Sequence, residues 1–535
     1  MNRSYRRPFT RGGRPRNPTP GNRPRRASGW IAAGCCAVLA LTDSLWGDSP
    51  TAPIDLGSRR ELMLDGYLFD AIDNLQFRLH PPRLAEKVLD FDAPWEGRRD
   101  YGISVIGYPV TMHDGDVFRL YYASYLGLRA KPADPRQQFT GYAQSTDGVH
   151  WTRPDLNRVE FAGSKRNNIL RRGGRTSHNF APFIDLRPGA AADQRYKAVG
   201  GNGKSYVFAS ADAINWKKLR DTPILDGEEA AFDKYGAIRW GENPGLERAI
   251  LDSLNVAFWD PARGHYALYF RAYLPALRRD GDEVQGVIRS VMRATSKDFL
   301  EWSDIEPIEF GEPRRFWKHE LYTTVLRPYD RAPHLLIGFP LRTAPRRPLR
   351  GGSFGLSESA FMFSRDGKRF ALFDEPLMPP GRDIRNWSKH GNMIAWGMLQ
   401  TAPDELSIYF LQHDHQPTTH LRRGTLRTDG FVSLRAVGFP GGTAVTHPLV
   451  FAGNRLEINA ATGAAGGISV SILDAESAKP IPGYEQSQEF FGDRIRHVVH
   501  WNGRNEIGSL AGRAIRLKLT LFHADLYSLR FFKEP

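Results

Sequence analysis

A short motif recurs along the chain. It reads Ser145-Thr146-Asp147-Gly148-Val149-His150-Trp151, then Ser210-Ala211-Asp212-Ala213-Ile214-Asn215-Trp216, then Ser296-Lys297-Asp298-Phe299-Leu300-Glu301-Trp302. A fourth copy, Ser364-Arg365-Asp366-Gly367-Lys368-Arg369-Phe370, carries Phe in place of Trp, and a degenerate fifth runs Thr428-Asp429-Gly430-Phe431. The four serines are spaced 65, 86 and 68 residues apart. Ser and Asp close a tight turn through side-chain to backbone hydrogen bonds, and Gly accepts the positive φ that such a turn needs. The aromatic residue is then placed to pack between neighbouring sheets. A period of this length holds four strands and their loops, which is one blade of a propeller. A blade cannot bury both faces alone, so blades stack in a ring. The copies predict an all-β chain built on a five-bladed β-propeller.

The intervening sequence agrees. Short apolar and aromatic runs such as Phe118–Tyr122, Tyr266–Phe270 and Leu406–Phe410 are separated by Gly, Pro, Asp and Asn, and long amphipathic helical patterns are scarce. From about Gly438 the pattern changes. Leu456–Ile458, Ile468–Ile472, His497–Trp501 and Ile515–Leu519 largely alternate with period two, as in a sandwich whose sheets each bury one face. The expected division is a targeting segment over 1–47, a propeller over 48–437 and a C-terminal β-sandwich over 438–535.

The targeting reading rests on nine arginines within residues 1–47, against one acid, Asp43, followed by an apolar run from Trp30 to Leu41. That run is short for a bilayer span but suits the core of an export signal. Secretion or export to a periplasm is expected, with no integral membrane segment in the mature chain. Ala33-Gly34-Cys35 lies at the start of the apolar run rather than its end, which argues against a lipoprotein. The arginines of this segment supply much of the chain's +14 net charge, so nucleic-acid binding is not expected. Cys35 and Cys36 are the chain's two cysteines. A processed chain has no disulfide, no thiol nucleophile and no cysteine-bound zinc.

Several stretches resemble bacterial five-bladed propeller proteins similar to glycoside hydrolase family 32, whose blade plan is shared with families 43 and 68. They are Arg60–Asp65 (RELMLD), Pro94–Gly97 (PWEG), Gly163–Asn168 (GSKRNN), His178–Phe183 (HNFAPF), Asp252–Asp260 (DSLNVAFWD), Glu320–Thr324 (ELYTT) and Ala524–Leu529 (ADLYSL). The resemblance implies a secreted glycosidase acting on an extracellular oligo- or polysaccharide, with no cofactor. The W-x-N-D-P-N-type and R-D-P motifs of family 32 are absent, so the catalytic residues are argued from placement instead.

Glycoside cleavage needs two carboxyl groups flanking the scissile bond. In a propeller, polar groups at the starts of the inner strands converge on one mouth, and those strands are expected to begin near Asp100, His178, Asp252, Glu320 and Trp387. The candidate carboxylates are therefore Asp252, Glu320 and Asp100. Glu320, between His319 and Tyr322 and near Trp317, suits a proton donor. Asp252, beside Ser253 and Asn255, suits a base or nucleophile. His178, Asn179, Asn255, Arg271, His319, Tyr322, Arg342, Trp387 and Asn392 are candidate sugar contacts, Trp387 as a stacking platform. His413-Asp414-His415 resembles a metal motif, but strand alternation puts only the two histidines on one face and no third ligand is evident, so no metal is expected. Two other functions stay open. One is a carbohydrate-binding propeller without catalysis. The other is a sialidase-like enzyme using Arg271, Arg342 and Tyr322.

Overall fold

The computed structural model describes residues 52–96, 105–125, 138–177, 179–227, 250–275, 287–310, 320–344, 355–436 and 438–534. Among these the regular structure is strands and short 3-10 turns. The targeting segment lies outside them.

Between residues 83 and 427 the strands group, in chain order, into five mainly antiparallel units, each built on a row of about four strands. The first unit contains Val105–Asp114, Val117–Tyr125, Gln138–Ser145 and Ile169–Arg172. The second is built on Ala181–Ile184, Tyr196–Gly200 and Lys204–Ser210, with two short outer strands. The third runs Val256–Asp260, His265–Pro275, Val287–Ser296 and Glu306–Pro307. In the fourth, breaks split each of the first three strands in two, as in Glu320–Leu321 and Leu326–Tyr329. The fifth takes Met393–Ile394, Glu405–Gln412 and His420–Arg427 from its own stretch. Its outer strand, Arg83–Asp90, comes from far earlier in the chain. Arg83–Asp90 is thus the outermost strand of the last unit and ties the early chain to it.

The repeated motif forms the turn between the third and fourth strands of the first four units. In the first copy, Ser145 Oγ accepts from the amides of Asp147 and Gly148 at 3.2 and 2.9 Å. Asp147 Oδ1 accepts from the amides of Val149 and His150, both at 2.8 Å. The copies at Ser210, Ser296 and Ser364 repeat these contacts, with the serine bond to the third-position amide at 3.0, 2.9 and 2.9 Å. The turns also join the units. Tyr121 Oη donates to Ala213 O (2.9 Å), Tyr269 Oη to Gly367 O (2.6 Å) and Tyr409 Oη to Gly148 O (2.7 Å). Each tyrosine reaches the motif of the next unit, and Tyr409 links the fifth unit to the first. Backbone bonds of Trp396 with Thr111 and Pro109, both 2.9 Å, make a second contact between those two units.

The fifth copy departs from the others. Asp429 is buried and binds distant groups: Tyr329 Oη at 2.7 Å, Arg331 Nε at 2.8 Å, Ser528 Oγ at 2.8 Å and Arg60 at 3.3 Å. Its carboxylate sits between the five units and a second module.

That module is a sandwich of two layers threaded by two long strands, Arg455–Asp474 and Ile515–Phe532, which pair along most of their length. Both bend, with a register shift between Thr462 and Gly467 opposite His523, whose φ of 41° breaks the extended run. The early half of Ile515–Phe532 pairs with Gly442–Thr446, and the late half with Val432–Ala436 and Arg60–Leu62. Sheet membership differs from the linear division at residue 437. Ile54–Gly57, Arg60–Leu62, Phe69–Asp73 and Leu75–Leu79 are hydrogen-bonded into the second module, ahead of the first propeller strand. The chain returns to this module at Val432–Ala436, just before the sequence change near Gly438, and that change says nothing of strands contributed from the other end. There are two apolar cores, and Leu62, Leu79 and Val432, on strands of the second module, pack into that of the five units.

Several stretches that carry the family resemblance are structural. Arg60 bonds Glu457 at 2.6 Å, and buried Glu61 takes Arg365 at 2.8 Å, Arg59 at 2.8 Å and His334 at 2.9 Å. Trp95 Nε1 donates to Asn168 at 2.7 Å, Asn168 reaches Tyr122 at 2.7 Å, and Tyr122 donates to Glu96. Burial pushes the Glu96 carboxyl upward despite its Arg153 partner.

Candidate functional site

In an antiparallel four-stranded unit, the start of the first strand and the connection between the second and third lie at one end. The repeated turns occupy the other. Asp252, Glu320, the Trp387–Asn392 stretch and the Asp414–His415 turn therefore share the end opposite the motif. Asp100, His178 and His319 lie outside the described residues.

Tyr322 is the centre of the described part of this end. Arg271, on the second strand of the third unit, stands 5.3 Å from its ring centroid, and Arg289, on the third strand, 5.6 Å. Lys389 Nζ is 5.5 Å away, and the His390 ring 4.9 Å. The Tyr322 hydroxyl meets that of Tyr108 from the first unit at 3.0 Å. Burial raises the hydroxyl pKa values of Tyr108 and Tyr125, and negative charge at Asp252 adds to both.

The two principal candidate carboxylates reach this group from adjacent units, each through an arginine. Asp252 Oδ2 accepts from Arg271 at 2.8 Å, and Glu320 pairs with Arg289. Burial alone would lower the Arg271 pKa, but the Asp252 carboxylate beside it outweighs that and the pKa is raised. The asymmetry expected between the acids is not visible in these partners, since each faces a guanidinium.

Asn179 and Asn255 shape the loop that presents Asp252. Asn179 donates to the carbonyls of Leu251 and Ser253 at 3.3 and 2.5 Å and accepts from Gly201 N at 2.8 Å. Asn255 donates to Leu251 O at 2.9 Å. Leu251 and Ser253 hold φ values of 63° and 66°, a left-handed backbone that such bonds help to hold. Ser253 Oγ donates to Tyr322 O at 2.8 Å, tying this loop to the fourth unit. Arg342, in register with Leu321, is buried against Glu358 at 2.6 Å. Asn392 donates to Pro379 O at 2.7 Å. Trp387 is 42% exposed, with its indole N–H on Gly381 O, which leaves ring surface open.

No family model matches this chain. A curated relative, the uncharacterized protein Rv1502 of Mycobacterium tuberculosis, is 27% identical over 128 residues, 24% of this chain and 39% of that protein. The match thus spans well under half of the relative's length. Among solved structures, the chain is similar to a glycoside hydrolase, with TM-score 0.41 and 15% identity, covering 67% of this chain and 95% of that one. An N-acetylgalactosamine deacetylase from F. plautii in complex with blood group B trisaccharide has TM-score 0.39 and 12% identity, covering 65% and 95%. A glycoside hydrolase family 43 arabinoxylan arabinofuranohydrolase from Bacillus subtilis in complex with cellotetraose has TM-score 0.37 and 10% identity, covering 81% and 96%. At these scores the fold assignment rests on the chain's own strand pairing.

Sequence reasoning missed Tyr108, Arg289, Lys389 and His390. His390 lies between two residues that were singled out, Trp387 and Asn392, so its neighbourhood was a usable signal. The reading of His413-Asp414-His415 as an alternating strand also differs from the structure. His413 and His415 have φ of 57° and 58°, so this stretch is a turn and alternation does not apply. His413 turns to Asp383 at 3.0 Å, while His390 joins Asp414 and His415. Burial lowers the His390 pKa to about 4 against the pull of Asp414, so its ring is neutral at pH 7.

Proposed function

We propose that this chain is an exported glycoside hydrolase whose five units close as a five-bladed ring, acting on an oligo- or polysaccharide at the Tyr322 end. The observation that carries the reading is that Asp252 and Glu320, from adjacent units, each pair with an arginine that stands beside the same tyrosine, Tyr322. A pair of carboxyl groups is the minimum that glycoside cleavage requires. Trp387 supplies an exposed aromatic face for a sugar ring. Export follows from the basic and apolar segment at the N-terminus, and a secreted form should begin downstream of Leu41.

The guanidinium partners favour one further reading. With both carboxylates engaged in ion pairs, the same end can bind a carbohydrate without cleaving it. A polysaccharide panel separates the two. Cleavage that is lost in both Asp252→Asn and Glu320→Gln supports the hydrolase. Binding without release of reducing ends supports the binding module. Cleavage unchanged in both variants removes these residues from the reaction. Sialosides in the panel test the arginine–tyrosine arrangement directly.

A further inference from the structure

His390, Asp414 and His415 come together through strand register. Met393 pairs with Leu411 and Ile394 with Phe410, so continuing the ladder outward sets His390 opposite Asp414. His390 Nδ1 lies 3.3 Å from Asp414 Oδ2, and His415 Nδ1 lies 2.9 Å from the same oxygen. One donor atom from each of the three falls within 4.8 Å of the others.

Among the described ion pairs, the buried Asp414 carboxylate meets the two imidazoles and no arginine or lysine. The Asp414 side chain is 0% exposed and that of His390 8%. Neither carboxylate oxygen of Asp414 and neither ring nitrogen of His390 has a partner in hydrogen-bond geometry, despite the short approaches. Elsewhere in this chain buried carboxylates are well served. Asp429, equally buried, accepts from Tyr329, Arg331 and Ser528. A buried carboxylate without such bonds is strongly unfavourable unless it coordinates a cation.

The geometry points to a binding site for one divalent transition-metal ion of the zinc type, held by His390, Asp414 and His415. Two imidazole nitrogens and one carboxylate oxygen are a donor set for zinc and neighbouring transition ions. Calcium and magnesium take oxygen ligands instead. Bonds of about 2.0–2.1 Å in a tetrahedron separate ligand atoms by about 3.3 Å, close to the two histidine–Asp414 distances of 3.3 and 2.9 Å. Three protein ligands leave a fourth position free. His415 is 34% exposed, so that position has access to solvent. The site adjoins the carbohydrate end through the His390–Tyr322 ring contact, but it does not depend on the hydrolase reading.

The test uses the untagged full chain, stripped with chelator and titrated with Zn²⁺ by calorimetry and with Co²⁺ by visible absorption. One saturable equivalent is expected, with a Co²⁺ spectrum of mixed nitrogen and oxygen ligation and a rise in melting temperature on Zn²⁺ addition. Asp414→Asn and His390→Gln should each weaken binding by more than the roughly 10–100-fold that loss of an outer-shell partner costs. His415→Gln alters the least buried ligand and provides a folded variant if the other two misfold. Absence of a 1:1 event, unchanged affinity in His415→Gln, or a preference for Ca²⁺ over Zn²⁺ would each overturn the assignment.

Discussion

Asp429→Asn removes one negative charge from the junction of the two modules and little else. Asn tolerates the left-handed backbone at this position, where φ is 62°, so the substitution avoids the strain that Ala would add. What changes is the carboxylate that now accepts from Tyr329, Arg331 and Ser528 and faces Arg60. Breaking one side of a buried ion pair costs about 3–5 kcal/mol. Arg60 keeps Glu457 at 2.6 Å, which places the expected loss at the low end, about 3 kcal/mol. The second module holds roughly 130 residues, so its unfolding entropy is about 0.27 kcal/mol per degree at ~2.1 cal/mol/K per residue. If that module melts alone, its midpoint should fall by about 11 °C; if the whole chain melts as one, the fall is several-fold smaller. Urea titration followed by circular dichroism, with melting curves alongside, reads both quantities. A variant as stable as the parent would refute the claim that this cluster holds the junction.

Two other outcomes follow from the same structure. Tyr409→Phe deletes the hydroxyl that reaches Gly148 O and should cost about 0.5–1.5 kcal/mol in chemical denaturation, the worth of one hydrogen bond, because Gly148 O keeps the Trp151 indole N–H at 3.1 Å. The chain should also lose stability in acid. Burial alone would raise the Glu61 pKa, but Arg365 and His334 hold it well below its ordinary 4.5. Asp429 is likewise lowered, Arg60 and Arg331 outweighing its burial. A carboxylate with a depressed folded pKa contributes fully above its unfolded pKa, so stability should fall as pH drops below about 4.5. Glu96, whose pKa is raised, acts in the opposite sense and offsets part of that loss. Denaturation midpoints at pH 7, 5 and 3.5 check the sign.

The legible part of the fold was what local chemistry writes into local sequence. The Ser-x-Asp turns could be read from four heptapeptides because every bond in them spans three residues or fewer. The strand borrowed from Arg83–Asp90 could not, since its partners lie at His420–Thr425, more than three hundred residues away. For the same reason Arg60–Leu62 was assigned to the wrong module: its partners are Ser528–Arg530. At the candidate site, Asp252 and Glu320 were singled out by their position at strand starts, but the arginines that meet them lie on other strands, Arg271 within His265–Pro275 and Arg289 within Val287–Ser296. His390 was hidden because its relation to Asp414 exists only in the register of a two-residue pairing.

The hydrolase reading is tested most directly by steady-state kinetics of Glu320→Gln on whichever polysaccharide the parent protein cleaves. The swap preserves the shape of a side chain that is 9% exposed and removes its charge and acid–base function. The account predicts that kcat falls by about 10²–10⁴-fold, the usual contribution of a positioned acid or base, with KM little changed. A kcat equal to that of the parent would contradict it.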